Sequence, residues 1–438
     1  MRAAHLCKKA AAFVSFAAFL FSLPPTHTSQ AQQSTRLAAI HFTGLDRFAD
    51  AQVARATGLK MGEPVSHEQL SAAANRLGES GAFETVSFRY TTSQNQLTVE
   101  FQVKETRHVL PCRFDNFVWF SDSQLDRTLR SRVAFYAGVI PESGTTTEEV
   151  RAALRDLLRS NGIPGDVDSI PVAPAVGQPV NAILYTVKGI SLPIRSVDFP
   201  GASAVSAADL RAASSQIIGR DYFISGVALF ASGGLVPLYH HHGYLRAGFA
   251  DPQAAILNKN SEATAYDIAV TLSVTEGPEF FWEKAEWSGN RQFTPAELDR
   301  LLAMQPREIA DESKIDAGLN AIRHAYGQRG YIEASVRSNV DLNDSERLAT
   351  YKFSVIEGPQ FRISQVHFDG LANMVALALI KKWTLKPGDI FDDSFATNFM
   401  NKIAPQTLHD FGVLKANIEI KPQIDRQNSS VDLHIVVH

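Results

Sequence analysis

One spacing constrains this chain more than any other feature: an apolar residue, two spacers, an apolar residue, one spacer, an aromatic, one spacer and a turn residue, written five times. The copies are Leu37, Ile40, Phe42, Gly44; Val109, Cys112, Phe114, Asn116; Ile194, Val197, Phe199, Gly201; Trp282, Ala285, Trp287, Gly289; and Ile363, Val366, Phe368, Gly370. The last two apolar positions alternate as in a half-buried strand, and Gly or Asn closes each copy, the residues that best tolerate a positive φ. Nine residues beyond each turn stands an aliphatic residue, Val53, Leu125, Leu210, Leu298 or Leu379, which predicts a core anchor on a following helix. A second series of glycines, Gly81, Gly162, Gly243, Gly330 and Gly412, is separated by 81, 81, 87 and 82 residues. Apolar residues four and eight positions before each predict one buried helix face ending at a Gly C-cap. In the fourth copy Asp311 is placed to cap, and Ile315, Leu319, Ile322 and Tyr326 follow at helical steps.

After the second glycine the period falls to two, as in Phe83, Val86, Phe88 and Tyr90, and a further alternating run closes each unit. Those closing runs include Val99 to Val103, Ile183 to Val187, Ile268 to Val274, Tyr351 to Val355 and Leu433 to Val437. The expected fold is α+β: five tandem βααββ units, each a three-stranded mixed sheet covered by two helices, in an elongated array. Expected bounds are 32–105, 106–189, 190–277, 278–358 and 359–438. The third unit reads as irregular, with Gly233, Gly234 and Pro237 breaking its helix and a long loop from Asp251 to Ala265; Pro405 is expected to disrupt the second helix of the fifth.

Residues 1–31 read as a signal peptide: Arg2, Lys8 and Lys9 precede an apolar run from Ala10 to Leu23, and Ser29-Gln30-Ala31 ends in small residues. The run is too short to span a bilayer. Export out of the cytoplasm is therefore expected. Removing that segment takes Cys7 with it and leaves Cys112, so neither a disulfide framework nor a cysteine metal cluster is expected. With 42 Lys plus Arg against 46 Asp plus Glu, nothing in the charge points to nucleic acid.

The five registered frames, the Gly-aromatic turns such as Gly330-Tyr331, and the endings Glu276-Gly277-Pro278 and Glu357-Gly358-Pro359 resemble POTRA, or polypeptide-transport-associated, domains. Five in tandem are similar to the periplasmic part of the outer-membrane assembly factor superfamily, which implies a periplasmic location with association to the outer membrane through partners. That family adds a C-terminal membrane barrel, whereas the closing strand Val431–Val437 here runs to His438, so barrel insertion by this chain itself is not expected. The resemblance implies that the middle strand of each unit lies at a sheet edge. This carries over to Val86, Phe88 and Tyr90; to Ala334 and Val336 in a segment reaching Val340; and to Ala416, Ile418 and Ile420. Edge N–H and C=O groups accept an added strand with little regard to its sequence. Pro164 and Pro171 interrupt the corresponding segment of the second unit.

The expected function is a scaffold or chaperone-like role in outer-membrane protein assembly or protein transport, binding polypeptides by β-augmentation. The alternative is an adaptor docking a separately encoded outer-membrane barrel or envelope complex. Expected partners are unfolded outer-membrane or secreted polypeptides and a barrel or assembly-complex protein, with no small-molecule substrate, cofactor or metal. No enzyme is expected. Three consecutive histidines, His240 to His242, cannot all face one ion on a regular element and read as a turn, while Cys112, Trp282 and Trp287 occupy core positions of the frame.

Overall fold

The computed structural model describes residues 35–369, 373–413 and 418–437. The signal-like segment, Gly370, Ala416 and His438 lie outside them. The first repeat runs β1 (Arg36–Thr43), α1 (Asp50–Thr57), α2 (His67–Glu79), β2 (Phe83–Ser93) and β3 (Gln96–Glu105). The second has β4 (Val109–Phe114), α3 (Asp122–Arg132), β5 (Val139–Pro141), α4 (Thr146–Ser160), β6 (Asp166–Val172) and β7 (Ala182–Lys188). The third has β8 (Ile194–Asp198), α5 (Ala207–Ser214), α6 (Ile224–Phe230), a π-helical turn (Ala231–Leu235), α7 (Val236–His240), β9 (Gly248–Phe249), β10 (Gln253–Lys259), β11 (Tyr266–Thr271) and β12 (Val274–Thr275). The fourth has β13 (Phe281–Ser288), α8 (Pro295–Leu302), α9 (Glu312–Gln328), β14 (Ser335–Asn343) and β15 (Leu348–Ile356). The fifth has β16 (Arg362–Asp369), α10 (Asn373–Lys382), α11 (Asp393–Asn398), a second π turn (Phe399–Ile403), α12 (Ala404–Asp410), β17 (Ile418–Asp425) and β18 (Ser430–Val437).

The fold is mixed α+β, built on small mixed sheets. Strand orders are β1-β3-β2, β10-β11-β8, β13-β15-β14 and β16-β18-β17, and the second repeat holds β4, β7 and β6 within a four-stranded sheet. The first strand runs parallel to the closing strand, which takes the middle place, and the strand after the second helix is antiparallel to it at the edge. Separate cores lie under the third, fourth and fifth sheets, around Tyr239 and Ile268, Tyr326 and Phe353, and Phe399 and Leu433.

The structure explains why the frame has two spacers where a strand needs one. Leu37 and Ile40 are an odd number of residues apart and belong on opposite faces of a regular strand. A β-bulge between Leu37 and Ala39 adds one residue and returns both to the same face; equivalent irregularities follow Trp282, Ile363 and, opposite β11, Ile194. The loop between the two helices takes the backbone groups that the bulge releases. Leu37 N–H donates to Glu63 O (2.9 Å) and Leu37 O accepts from Gly62 N–H (2.8 Å). Ile194 does the same with Arg220 and Gly219, Trp282 with Glu308 and Arg307, and Ile363 with Asp389 and Gly388.

The turn residue of the frame faces the end of the closing strand. A Cβ on Gly44, Gly201 or Gly289 would run into the carbonyl oxygen of Val103, Val274 or Val355, and all three glycines have φ between +79° and +90°. The second repeat solves the same contact differently. Asn116 is not in the left-handed region; its side-chain amide donates to Val187 O (3.0 Å) and accepts from Val187 N–H (2.7 Å), replacing main-chain pairing with side-chain pairing. Two residues after each of those valines, Glu105, Glu276 and Glu357 turn back to accept N–H groups of the loop that follows the frame. Gly189 stands there in the second repeat.

Three expectations need correction. The second helix of the third repeat is not broken, nor is that of the fifth. In each, a π-helical turn precedes α7 or α12, with Pro237 or Pro405 at the start of the α-helical segment. The wider turn shifts the hydrogen-bond ladder just where proline lacks an N–H to donate. The stretch from Asp251 to Ala265 is not a loop throughout, because it contains the edge strand β10.

The chain forms two compact units, one of residues up to Val109 with Ile140–Thr146, the other of Leu110–Val139 with Thr147 onward. In the first unit, Thr145 N–H donates to Glu79 O (2.9 Å) and Thr146 Oγ1 to Ser80 O (2.8 Å). Successive repeats in the second unit are joined by recurring contacts. The buried Asp115 carboxylate accepts Ser225 N–H (2.7 Å) and Oγ–H (2.6 Å), capping α6 from the preceding repeat. Phe280 N–H donates to Gly243 O and Phe361 N–H to Gly330 O, both at 2.8 Å. Three residues past each of those glycines stand Arg246 and Glu333, and each reaches the first residue of the next repeat's final hairpin turn. Arg246 pairs with Asp344 (2.7 Å) and Glu333 with Arg426 (2.7 Å), so the two junctions share one geometry with opposite polarity.

Candidate functional site

Strand β2 holds the first expected site. Its register on β3 places Val86 opposite Val103, Phe88 opposite Phe101 and Tyr90 opposite Val99, so these side chains share the core-facing side of the sheet. Their partners are buried, yet Val86 and Phe88 are only half-buried and Tyr90 is 47% exposed, because β2 is the last strand. His67, the first residue of α2, lies 5.6 Å from the Phe88 ring and 6.1 Å from that of Tyr90. The side of β2 away from β3 has no strand beside it among the described residues. No proline interrupts it. Arg89 pairs with Glu100 (2.8 Å) and Lys104 with Glu84 across the β2–β3 ladder, which leaves charged groups on the opposite face.

Beside that edge an open groove of about 370 Å³ runs between α2 and β2, lined by Ala74, Asn75, Gly78 and Glu79 and by Phe83, Glu84 and Val86. Ala74 and Gly78 are one helical turn apart and keep the helix side low. Nothing lies within 4 Å of where a Gly78 Cβ would stand, so packing does not require glycine there, although glycine in a helix costs about 1 kcal/mol relative to alanine. Sequence reasoning found the strand and missed this wall; the small residues at i and i+4 were the available signal.

The other expected residues fall as follows. Val336 is in β14, opposite Val355 and half-buried, on an edge strand without proline. Ala334 precedes that strand, with its N–H donated to Tyr331 O (3.1 Å) in a turn. Ile418 and Ile420 belong to the edge strand β17, which also contains Pro422, and Ala416 lies outside the described residues. In the second repeat Pro171 sits within the edge strand β6, opposite Ile183. The third repeat adds an edge that sequence reasoning missed: β10 has no proline and exposes Ile256 and Leu257.

The groups weighed as chemistry are placed structurally. His240 ends α7 and its Nδ1 lies 2.8 Å from Glu312 at the start of α9, while His241 and His242 continue into a turn. Among the described residues no cluster of His, Cys, Asp or Glu could hold a metal ion. Burial pushes the Cys112 thiol up to about 12, against a weaker opposing hydrogen bond to Tyr185, leaving little thiolate near neutral pH. Among the described residues no helix is long and apolar enough to cross a membrane.

Residues 35–106 and 281–358 match the POTRA family model, described as a surface antigen variable number repeat. Those two spans are the first and fourth repeats. The chain is similar, at 24% identity over 327 residues, to the outer membrane protein assembly factor BamA of Neisseria meningitidis serogroup B, covering 71% of this chain and 39% of that protein. It is 22% identical over 167 residues to a putative outer membrane protein assembly factor of Treponema pallidum, covering 37% of this chain and 20% of that one. The chain thus spans well under half the length of these two relatives. Among solved structures, POTRA3-5 of Haemophilus influenzae BamA aligns at 22% identity with a TM-score of 0.41, covering 56% of this chain and 96% of that chain.

Proposed function

We propose that the chain is an exported, non-enzymatic scaffold of outer-membrane protein assembly that holds extended polypeptides as added strands. The observation that carries this reading is β2, an uninterrupted edge strand beside an open groove floored by Ala74 and Gly78. An incoming strand would add main-chain hydrogen bonds to β2 and set alternate side chains in the groove, giving affinity with weak sequence demand. β14 and β10 offer the same backbone groups, and β6 and β17, with Pro171 and Pro422, fewer. Several weak edges on one chain raise avidity for a client long enough to reach them. The relatives named as assembly factors support the cellular setting, and the segment 1–31 supports export to the periplasm.

The test is photo-crosslinking in cells from Phe88 and Val336, with Leu229, an exposed residue on a helix, as the control position. A heterogeneous set of outer-membrane proteins captured at Phe88 and Val336, and not at Leu229, is the expected result. One stoichiometric partner at every site would instead favour the adaptor, and no capture would end the client role. Gly78→Leu should fill the groove and lower capture at Phe88 while leaving the fold intact, since that position has open space.

A further inference from the structure

The first helix of four repeats presents solvent with small or polar side chains. Two residues before and one residue after the buried anchor stand Ala51 and Ala54 in α1, Ser123 and Asp126 in α3, Ala208 and Arg211 in α5, and Ala296 and Asp299 in α8. The fifth repeat departs from this. Around Leu379, α10 carries Leu377 and Ile380 at those places, with Met374 one turn earlier; they are 65%, 48% and 72% exposed. Val375, Leu379 and Trp383 meanwhile fill the fifth core. The helix is apolar on two faces, and its own repeat covers one.

Within the segment that carries the second face, charge has a single sign. From Gly370 to Gly388 the sequence contains no Asp or Glu and three cations, Lys381, Lys382 and Lys386, in a chain whose net charge is -4. Lys381 and Lys382 close the last turn of α10 and are exposed. A stripe at steps of three residues, flanked by lysines and cleared of carboxylates, complements hydrocarbon beneath anionic headgroups. A protein groove would also accept the three apolar side chains, but it would not by itself call for a segment with three lysines and no acid.

We propose that α10 lies on an anionic membrane surface, with Met374, Leu377 and Ile380 entering the boundary between headgroups and acyl chains and Lys381 and Lys382 against the headgroups. The stripe is short, so attachment is reversible and salt-sensitive. This reading does not depend on the strand edges, which belong to another layer of the fold.

The experiment uses the full chain and vesicles of phosphatidylcholine with or without about 30% phosphatidylglycerol. Flotation should recover the chain with the anionic vesicles and release it as salt is raised. Leu377→Ser with Ile380→Ser, both at exposed positions, should weaken recovery roughly tenfold, and Lys381→Glu with Lys382→Glu should weaken it on anionic vesicles. The same variants are compared in the full chain and in the chain from Gln32 onward, so that binding by the apolar run from Ala10 to Leu23 is separated from that of α10. As a local readout, Leu377→Trp should gain quenching by phospholipids brominated in the acyl chain. Absence of that gain, or recovery unchanged by the serine pair, overturns the proposal. Self-association of the parent chain that the serine pair abolishes would assign the face to a second copy and likewise overturn it.

Discussion

The fourth and second repeats answer the same structural problem with different residues. In the fourth, Gly289 lets the frame pass against Val355 O, and Glu357 gathers Arg291 N–H (2.7 Å) and Gln292 N–H (2.8 Å) and accepts from Tyr326 Oη (3.0 Å). In the second, Asn116 grips both polar groups of Val187 and no carboxylate follows. The fourth edge is continuous, and the second contains Pro171. One fold therefore tolerates two fastenings at the sheet end, but each is specific: glycine supplies space and asparagine supplies hydrogen bonds.

Substitutions can break this comparison. Gly289→Val should have the largest effect, about 3 kcal/mol or more, because it combines overlap with Val355 O and a β-branched side chain at positive φ. Hydrogen exchange across β15 should then rise, with β7 unchanged. Asn116→Leu should cost on the order of 2–3 kcal/mol by leaving the Val187 N–H and C=O buried without partners, and β7 is where exchange should report it. If Asn116→Leu were neutral, the side-chain pairing would be incidental.

Acid sharpens the contrast. Burial raises the Glu357 pKa, but N–H donors from Gln292 and Arg291 and the Tyr326 hydroxyl outweigh it, so the carboxyl titrates below the usual glutamate range. The unfolded chain then binds a proton more readily than the folded one. The stability that Glu357 adds is complete above the ordinary glutamate value of about 4.3 and is lost as pH falls through the lower folded value. Glu357→Gln should cost about 1 kcal/mol at neutral pH and flatten this acid dependence in the fourth repeat. The second repeat, with Gly189 at that place, should show none of this dependence, and exchange near Arg291 and Gln292 measured at descending pH will tell.

The smallest stability change is expected at the edges. Pro171→Thr in β6 should shift stability by less than about 1 kcal/mol yet restore an edge donor, and crosslinking from neighbouring Ile170 should increase. Val336→Pro should do the reverse in β14. Unchanged crosslinking in both would separate edge pairing from client capture.

Much of this architecture is legible in the sequence because each repeat states it again. The anchor spacing and the second glycine series place the helices, and Gly81, Gly162, Gly243, Gly330 and Gly412 all adopt φ between +71° and +81°. What escaped depends on partners distant in the chain. The frame's odd spacing makes sense only with the bulge, and the bulge only with the loop that satisfies Leu37, Ile194, Trp282 and Ile363. Pro237 and Pro405 read as breaks because a proline rule built on α-helix hydrogen bonds does not anticipate a π turn ahead of it. Strand β10 was hidden because Ile256 and Leu257 are adjacent and both exposed, which erases the alternation expected of a strand. For the candidate site, the strand through Val86, Phe88 and Tyr90 was readable from its period and its place at the edge came from the resemblance, whereas the groove depends on Ala74 and Gly78 being small.

The reversed ion pairs at the last two junctions give the repeats an order. Arg246 meets Asp344 and Glu333 meets Arg426; were the fourth repeat excised and its neighbours spliced, Arg246 would confront Arg426, cation against cation. The couplings work like keyed connectors, each fitting its own successor and repelling the one beyond, which biases the repeats toward their native order by up to about 1 kcal/mol per solvent-exposed pair.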